Sequence, residues 1–257
     1  MVRFDSNLMN FWYPMSENPQ SIRLSVIIPA YNEENRIGVT LDTLLTYFSG
    51  QSYSAEIIVV DDGSEDKTSE VVRTFAPQVT LLRYEKNRGK GYAMRYGVPE
   101  ASGEYRLVYD ADGSTPIEDI EKAWVLHDGG IDIVIGSRAL PDSNVTLRQP
   151  LYRQSMGRIY NVLLRLLFLT PFKDTQCGFK SISAKCADEV FPKLTTDGFG
   201  MDCEMLFVAS KKGFTVAEIP VTWINSLESK VDAFWHSLEM IFEVIGIRLK
   251  SIMGYYR

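Results

Sequence analysis

Three short polar clusters hold the residues of this sequence best suited to chemistry. Asp110-Ala111-Asp112 sets two carboxylates one residue apart, directly after the apolar run Tyr105–Tyr109. In a turn, such a pair binds a hard divalent cation, Mg2+ or Mn2+, which keeps several waters and takes phosphate oxygens as its other ligands. The plainer reading is an acidic turn that solvates a strand end, since Asp-Gly is a frequent turn dipeptide; two further acidic loops nearby weigh toward the metal. Val59-Val60-Asp61-Asp62-Gly63-Ser64, with Asp66 beyond it, ends another apolar run in carboxylates that can accept hydrogen bonds from a base or a ribose. Ser64 or Asp66 equally reads as the N-cap of the helix that follows. In Asn87-Arg88-Gly89-Lys90-Gly91 the glycines let backbone approach a ligand, and Arg88 and Lys90 match a diphosphate. The Walker A spacing is absent there, and a solvated basic turn is the alternative.

These clusters act together only if strands end side by side. Leu24-Ser25-Val26-Ile27-Ile28-Pro29 and Glu56-Ile57-Ile58-Val59-Val60 are short, β-branched and bounded by turn formers, the pattern of strands buried on both faces of a parallel sheet. Between them, residues 35–48 place Ile37, Leu41, Leu44, Leu45 and Phe48 at helical spacing, which completes a βαβ unit. A helix over 67–75, strands over 79–84, 105–109 and 131–135, and a helix over 91–101 extend this into an open, doubly wound α/β sheet. Ligands of such sheets sit at the carboxyl ends of the strands. Three polar loops fall at that edge, beginning at Ala30-Tyr31-Asn32-Glu33, at Asp61 and at Asp110. Beyond Gly136-Ser137-Arg138 the alternation gives way to a basic stretch, Arg148, Arg153, Arg158 and Arg165, that runs into an amphipathic helix.

Composition sets outer limits. The 257 residues are 45% apolar and 23% charged, which argues against a disordered or fibrous chain. A net charge of −6 argues against a nucleic-acid binder held by bulk positive charge. Three cysteines without C-x-x-C spacing read as free thiols in a reducing compartment. Cys177 has no histidine near it in the sequence to activate it, and His127 and His236 are isolated, so neither residue type reads as catalytic. The longest run without Asp, Glu, Lys or Arg, residues 43–55, falls well short of a membrane span, and residues 1–22 read as an extension rather than a signal peptide.

In order, S-V-I-I-P-A-Y-N-E-E, V-V-D-D-G-S-x-D, N-x-G-K-G and D-A-D-G resemble a family 2 glycosyltransferase of the GT-A fold, from Ser25 to about Lys250. Gly136-Ser137-Arg138, Asp174-Thr175-Gln176-Cys177-Gly178-Phe179-Lys180, Asp202-Cys203-Glu204-Met205-Leu206 and Ala217-Glu218-Ile219-Pro220-Val221-x-Trp223 are similar to the dolichyl-phosphate glucosyltransferase branch, sister to the mannosyltransferases. The resemblance implies a mostly parallel GT-A sheet with helices on both faces, with the catalytic domain over 23–230. It also implies a UDP-glucose donor, a divalent metal, and a polyprenyl or dolichyl phosphate acceptor. Pro29, Tyr31 and Glu33 would line the nucleotide pocket, with Asp62 on the base and Asp61 beside it. Asp110, Ala111 and Asp112 would face metal and diphosphate, and Gln176 the transferred sugar.

A lipid monophosphate is already largely dianionic near neutral pH, its second pKa being about 6, so such an acceptor needs cations more than a base. Arg138 and Arg158, with Arg148 or Arg153 as further candidates, are expected to clamp it bidentately. Asp202 and Glu204 are the candidate bases if the acceptor is a hydroxyl. The expected reaction is an inverting, single in-line displacement, with Lys90 or Arg88 and the metal stabilising UDP as it leaves. Apolar stripes over 159–172 and 234–256 read as amphipathic helices suited to a membrane interface, with core packing or a dimer contact as the alternative. Residues 231–257 are thus set apart from the catalytic domain, and the protein is expected at the cytoplasmic face of a membrane. GDP-mannose or UDP-N-acetylhexosamine donors, a glycan hydroxyl acceptor, or a nucleotide-binding protein without turnover are the competing readings.

Overall fold

The computed structural model describes residues 21–146, 164, 167, 172–224 and 233–256, with side chains of the last stretch from 239 onward. Four parallel strands make the first half of the sheet: β1 (Ile22–Ala30), β2 (Ser54–Asp62), β3 (Val79–Tyr84) and β4 (Tyr105–Tyr109). Their apolar residues are buried on both faces, as the β-branched runs require. Val26, Ile28 and Val59 pack with α1 (Ile37–Ser49), α2 (Thr68–Arg73) and α4 (Ile120–Asp128) on one side. Ile27, Ile58 and Val60 pack with α3 (Lys90–Gly97) on the other. Two elements start or stop where backbone chemistry dictates. Glu33 O accepts from both Arg36 N and Ile37 N, so a turn precedes α1 and moves its start from 35 to 37. After Gly97, α3 tightens into a 3-10 turn over Val98–Glu100 at Pro99, which has no N–H to continue the helix.

The second half contains the main departure from expectation. β5 (Ile133–Ser137), β7 (Phe179–Ser183) and β8 (Val216–Pro220) extend the sheet to the order β3-β2-β1-β4-β7-β5-β8. β7 runs antiparallel to both its neighbours, so the sheet is mixed at its centre. Its sequence, Phe-Lys-Ser-Ile-Ser, lacks an apolar run because Lys180 and Ser181 are buried polar residues with partners. Ser181 Oγ lies 2.8 Å from His127 Nε2, while His127 Nδ1 meets the Ile131 carbonyl at 2.8 Å. A carbonyl can only accept, so Nδ1 carries the proton and Ser181 donates to Nε2 of a ring that burial keeps neutral. β6 (Asn144–Val145) pairs with β9 (Thr222–Trp223) as a separate ribbon.

α5 (Ala184–Val190), α6 (Met201–Lys211) and α7 (Ala233–Ile252) cover the face shared with α3. Within the C-terminal segment, Ile247 and Tyr256 are buried in that same core, and Val244 packs with Cys203 and Leu164. The C-terminal helix is a wall of the domain. Its opposite side leaves Phe242, Ile245, Leu249, Ile252 and Met253 exposed, and no described helix is long and apolar enough to cross a membrane. Of the stripe expected over 159–172, Leu164 is core, Leu167 packs beside it, Phe172 joins the larger core, and the remainder lies outside the described residues, as do 1–20.

Candidate active site

The loops after β1 and β2 are fastened to one another. Asn32, in the left-handed region at φ 55°, donates its N–H to Ser64 Oγ at 2.9 Å, and its side-chain oxygen accepts from Glu65 N at 2.9 Å. Asparagine tolerates that backbone conformation better than most residues. Glu33 N donates to Thr68 Oγ1 at 2.7 Å, while Arg36 grips the Glu33 carboxylate through Nε at 2.6 Å. Asp66 accepts from Thr68 N at 2.9 Å; the N-cap position itself is Lys67.

The adjacent acids of β2 diverge. Asp61 is fully buried, accepts from Ser64 N at 2.8 Å and from the Ser69 hydroxyl, and lies 3.5 Å from Arg83. It holds the turn and does not line the cavity, which corrects its expected place beside the base. Asp62 does line the cavity, and it accepts from Arg88 N at 2.6 Å and Gly89 N at 2.8 Å, so the basic turn hangs on this carboxylate. Gly89 has φ 97°, and a Cβ there would stand 2.5 Å from the Asp197 carbonyl. The Arg88 guanidinium lies 3.5 Å from the centre of the Tyr92 ring, a cation–π contact that fixes its direction.

Beyond this turn the side chains meet as ion pairs. Lys90 Nζ is 2.8 Å from Asp110 Oδ1. Burial works against the ammonium, but Asp110, with Asp202 behind it, more than offsets that and holds Lys90 above the usual lysine range. Burial likewise raises the Asp110 carboxyl, and Lys90, Lys180 and Arg138 outweigh it to leave the group below its ordinary value. Asp112 accepts from Ser114 N at 3.0 Å and lies 3.9 Å from Arg36 Nη1. Gly178 packs directly under Asp110: a Cβ there would sit 1.7 Å from Oδ2. Lys180 Nζ reaches Asp202 Oδ1 at 2.8 Å and also donates to the Cys177 carbonyl. Gln176 donates to Cys203 Sγ at 3.3 Å. Burial pushes the Cys177 thiol up to about 11, so it is no nucleophile at neutral pH.

One cavity of about 730 Å³ collects Pro29, Tyr31, Glu33, Asp62, Arg88, Lys90, Asp110, Ala111, Asp112, Gln176 and Asp202. Besides Asp61, two predicted residues do not line it. Arg138 donates to Asp174 through Nε at 2.7 Å and Nη2 at 3.0 Å, so the fork expected to clamp a phosphate is occupied by a carboxylate. Burial raises Asp174, but the Arg138 pair and two backbone N–H groups outweigh this and hold it at about 2. Glu204 accepts from Thr195 N, Thr196 N and the Tyr256 hydroxyl, fastening α6 to the chain end, so it is misplaced as a base. Arg158, with Arg148, Arg153 and Arg165, lies outside the described residues.

The cavity also includes Asn87 of the basic turn, and Arg36, Phe199 and Glu239, which were not foreseen. Arg36 had a signal, its helical spacing from Glu33; Phe199 and Glu239 had none. Phe199 is placed by Glu243 of α7, which accepts from Gly198 N at 3.1 Å and Gly200 N at 2.8 Å.

Asp110 and Asp112 are the carboxylates placed to hold a metal. Among the described residues no three acidic, His or Cys side chains gather, so these residues offer this pair at most. That suits a hard cation whose remaining ligands are diphosphate oxygens and water, and the glycine under Asp110 preserves the room its carboxylate occupies.

Comparison with known proteins agrees with this architecture. Residues 25–191 match the model of Glycosyl transferase family 2. The chain is 33% identical to the dolichyl-phosphate beta-glucosyltransferase of Dictyostelium discoideum over 94% of this chain and 79% of that protein. It is 34% identical to the Homo sapiens enzyme of the same name, over 91% and 78%. Among solved structures, Mycobacterium tuberculosis glucosyl-3-phosphoglycerate synthase, crystallised with Mn2+, UDP-glucose and phosphoglyceric acid, superposes with a TM-score of 0.65 at 17% identity, covering 89% of this chain and 79% of that one. Mannosyl-3-phosphoglycerate synthase from Rubrobacter xylanophilus gives 0.65 at 19% identity, over 90% and 74%. The shared sheet carries its motifs at the carboxyl ends of the parallel strands, and by that model and those relatives this chain belongs to glycosyl transferase family 2 and is a glycosyltransferase.

Proposed function

We propose that the protein transfers glucose, with inversion, from UDP-glucose to the phosphate of dolichol or a related polyprenol, using Mg2+ or Mn2+. The observation that carries this reading is the single cavity joining the loops after β1 and β2 to the Asp110-Ala111-Asp112 turn, with Lys90 reaching across it. A nucleotide seated against Pro29, Tyr31 and Asp62 directs its diphosphate past Arg88 and Lys90 and its hexose toward Gln176 and Asp202. The Lys90 ammonium stabilises negative charge as UDP departs. A divalent cation bound by Asp110 and Asp112 supplies further charge neutralisation on that diphosphate. The names of the relatives support glucose and dolichyl phosphate as the transferred group and acceptor, and Mn2+ with UDP-glucose in a structural neighbour supports the donor and metal.

The acceptor's own charge makes it the nucleophile, so no side chain has to remove a proton from it. Arg138 contributes positive potential beside the site and, on displacement of Asp174, a bidentate contact; Arg158 is its proposed companion. The exposed face of α7 is assigned to the cytoplasmic membrane interface, where the lipid resides. Transfer of radiolabel from UDP-glucose into organic-extractable polyprenyl phosphate is expected, with loss in EDTA and recovery on adding Mg2+ or Mn2+. Label that enters lipid only from GDP-mannose, or only a water-soluble product, overturns the reading. Flotation with liposomes tests the membrane face, and protein that stays in the aqueous fraction rejects it.

A further inference from the structure

Asp202 combines features that neither a structural ion pair nor a base explains well. It is 2% exposed and yet lines the cavity, at the end formed by Gln176, Phe199 and Asp110. Lys180 of the central strand β7, itself 0% exposed, pairs with Oδ1 at 2.8 Å and is anchored in turn by the Cys177 carbonyl just before that strand. Burying two charges is costly, and a pair of apolar residues of similar size would serve stability as well or better. Among the described residues buried Oδ1 has this ion pair but no hydrogen bond, so Oδ2 is the oxygen a ligand in the cavity could reach. A carboxylate pointed by an ion pair and short of hydrogen bonds at a cavity wall is an acceptor awaiting donors.

At this end of the cavity the donors a ligand brings are hydroxyls. The nucleotide end lies at Tyr31 and Asp62 and the diphosphate level at Lys90 and Asp110, so the next group along is the hexose; this rests on the donor orientation proposed above. We propose that Asp202 is a sugar-reading residue: Oδ2 accepts hydrogen bonds from hydroxyls of the transferred hexose, and Lys180 is the positioning residue that fixes its direction and charge. The assignment replaces the role of general base, since Lys180 already occupies the carboxylate as its ion-pair partner.

The test compares binding of a sugar nucleotide with that of its own nucleoside diphosphate, by calorimetry with Mn2+ and without acceptor. UDP-glucose with UDP and GDP-mannose with GDP are run on the wild-type chain and on Asp202→Asn. The expected result is that the affinity ratio of sugar nucleotide to diphosphate falls roughly ten- to a hundredfold in the variant, while affinity for the diphosphate stays within about twofold. An unchanged ratio overturns the proposal, and an unchanged ratio with a large fall in kcat returns Asp202 to the role of base. A wild-type preference for the guanine pair refutes UDP-glucose as donor and leaves the comparison at Asp202 intact. Should Asp202→Asn fold poorly with Lys180 unpaired, the charge-neutral double variant Lys180→Met/Asp202→Asn is measured in its place, with the same two outcomes.

Discussion

The two ends of the cavity are built by different means. At the nucleotide end, side-chain oxygens receive main-chain amides: Ser64 from Asn32, Thr68 from Glu33, Asp62 from Arg88 and Gly89. From the diphosphate level toward the hexose end, side chains pair as ions: Lys90 with Asp110, Lys180 with Asp202 and, behind the cavity wall, Arg138 with Asp174. The first arrangement fixes loop shape, and losing one bond leaves a modest defect. The second fixes charge in a confined space, and removing one partner leaves the other ionised and poorly solvated. Substitutions of similar size should therefore cost more at the hexose end.

Asp112→Ala is expected to have the largest effect. It removes half of the carboxylate pair, and transfer should fall by about 10³-fold or more while the circular dichroism spectrum is retained; unchanged turnover would break the metal assignment. Arg138→Ala comes next, strands Asp174, and should lower stability by about 2 kcal/mol in urea titrations, with a higher KM for the lipid acceptor and unaltered UDP binding. An acid titration sharpens the same pair. Asp174 sits at about 2 in the folded protein, below its unfolded value near 3.8. Its contribution is therefore present in full above about pH 4 and is lost as the pH falls toward 2, roughly 2 kcal/mol in all. In Arg138→Ala that acid dependence should shrink; an unaltered slope assigns it to other carboxylates. The smallest effect is expected from Ser64→Ala, which leaves one amide without its acceptor and should cost about 1 kcal/mol. A loss equal to that of Arg138→Ala would erase the contrast between the two ends.

Legibility in the sequence follows the same division. β1 through β4 are apolar, β-branched and punctuated by polar loops, so periodicity alone locates the strands and the edge where ligands bind. Most residues those loops bring together were accordingly named; Arg36 was not, and Asp61 was named although its neighbour Asp62 takes the outward position. β7 escaped because its centre is Lys180-Ser181, polar yet buried, and its partners Asp202 and His127 lie in other elements. Arg138 was read as a phosphate clamp with Arg158, while its engagement by Asp174 depends on how β5 and the segment before β7 meet. Glu239 and Glu243 sit on a helix whose amphipathic pattern says that one face packs, with nothing in that pattern to say that it packs against the site.

The reversed β7 also orders events during synthesis. It lies between β4 and β5, so until residues 179–183 have emerged, β4 has one unpaired edge and β5 has no neighbour on that side. The four N-terminal strands can assemble earlier, but they wait with an open edge, the kind of surface that invites pairing with another chain. A nascent chain halted before β7 thus carries the open edge of β4, and that five-residue strand closes it, leaving only the far side of β5 to await β8.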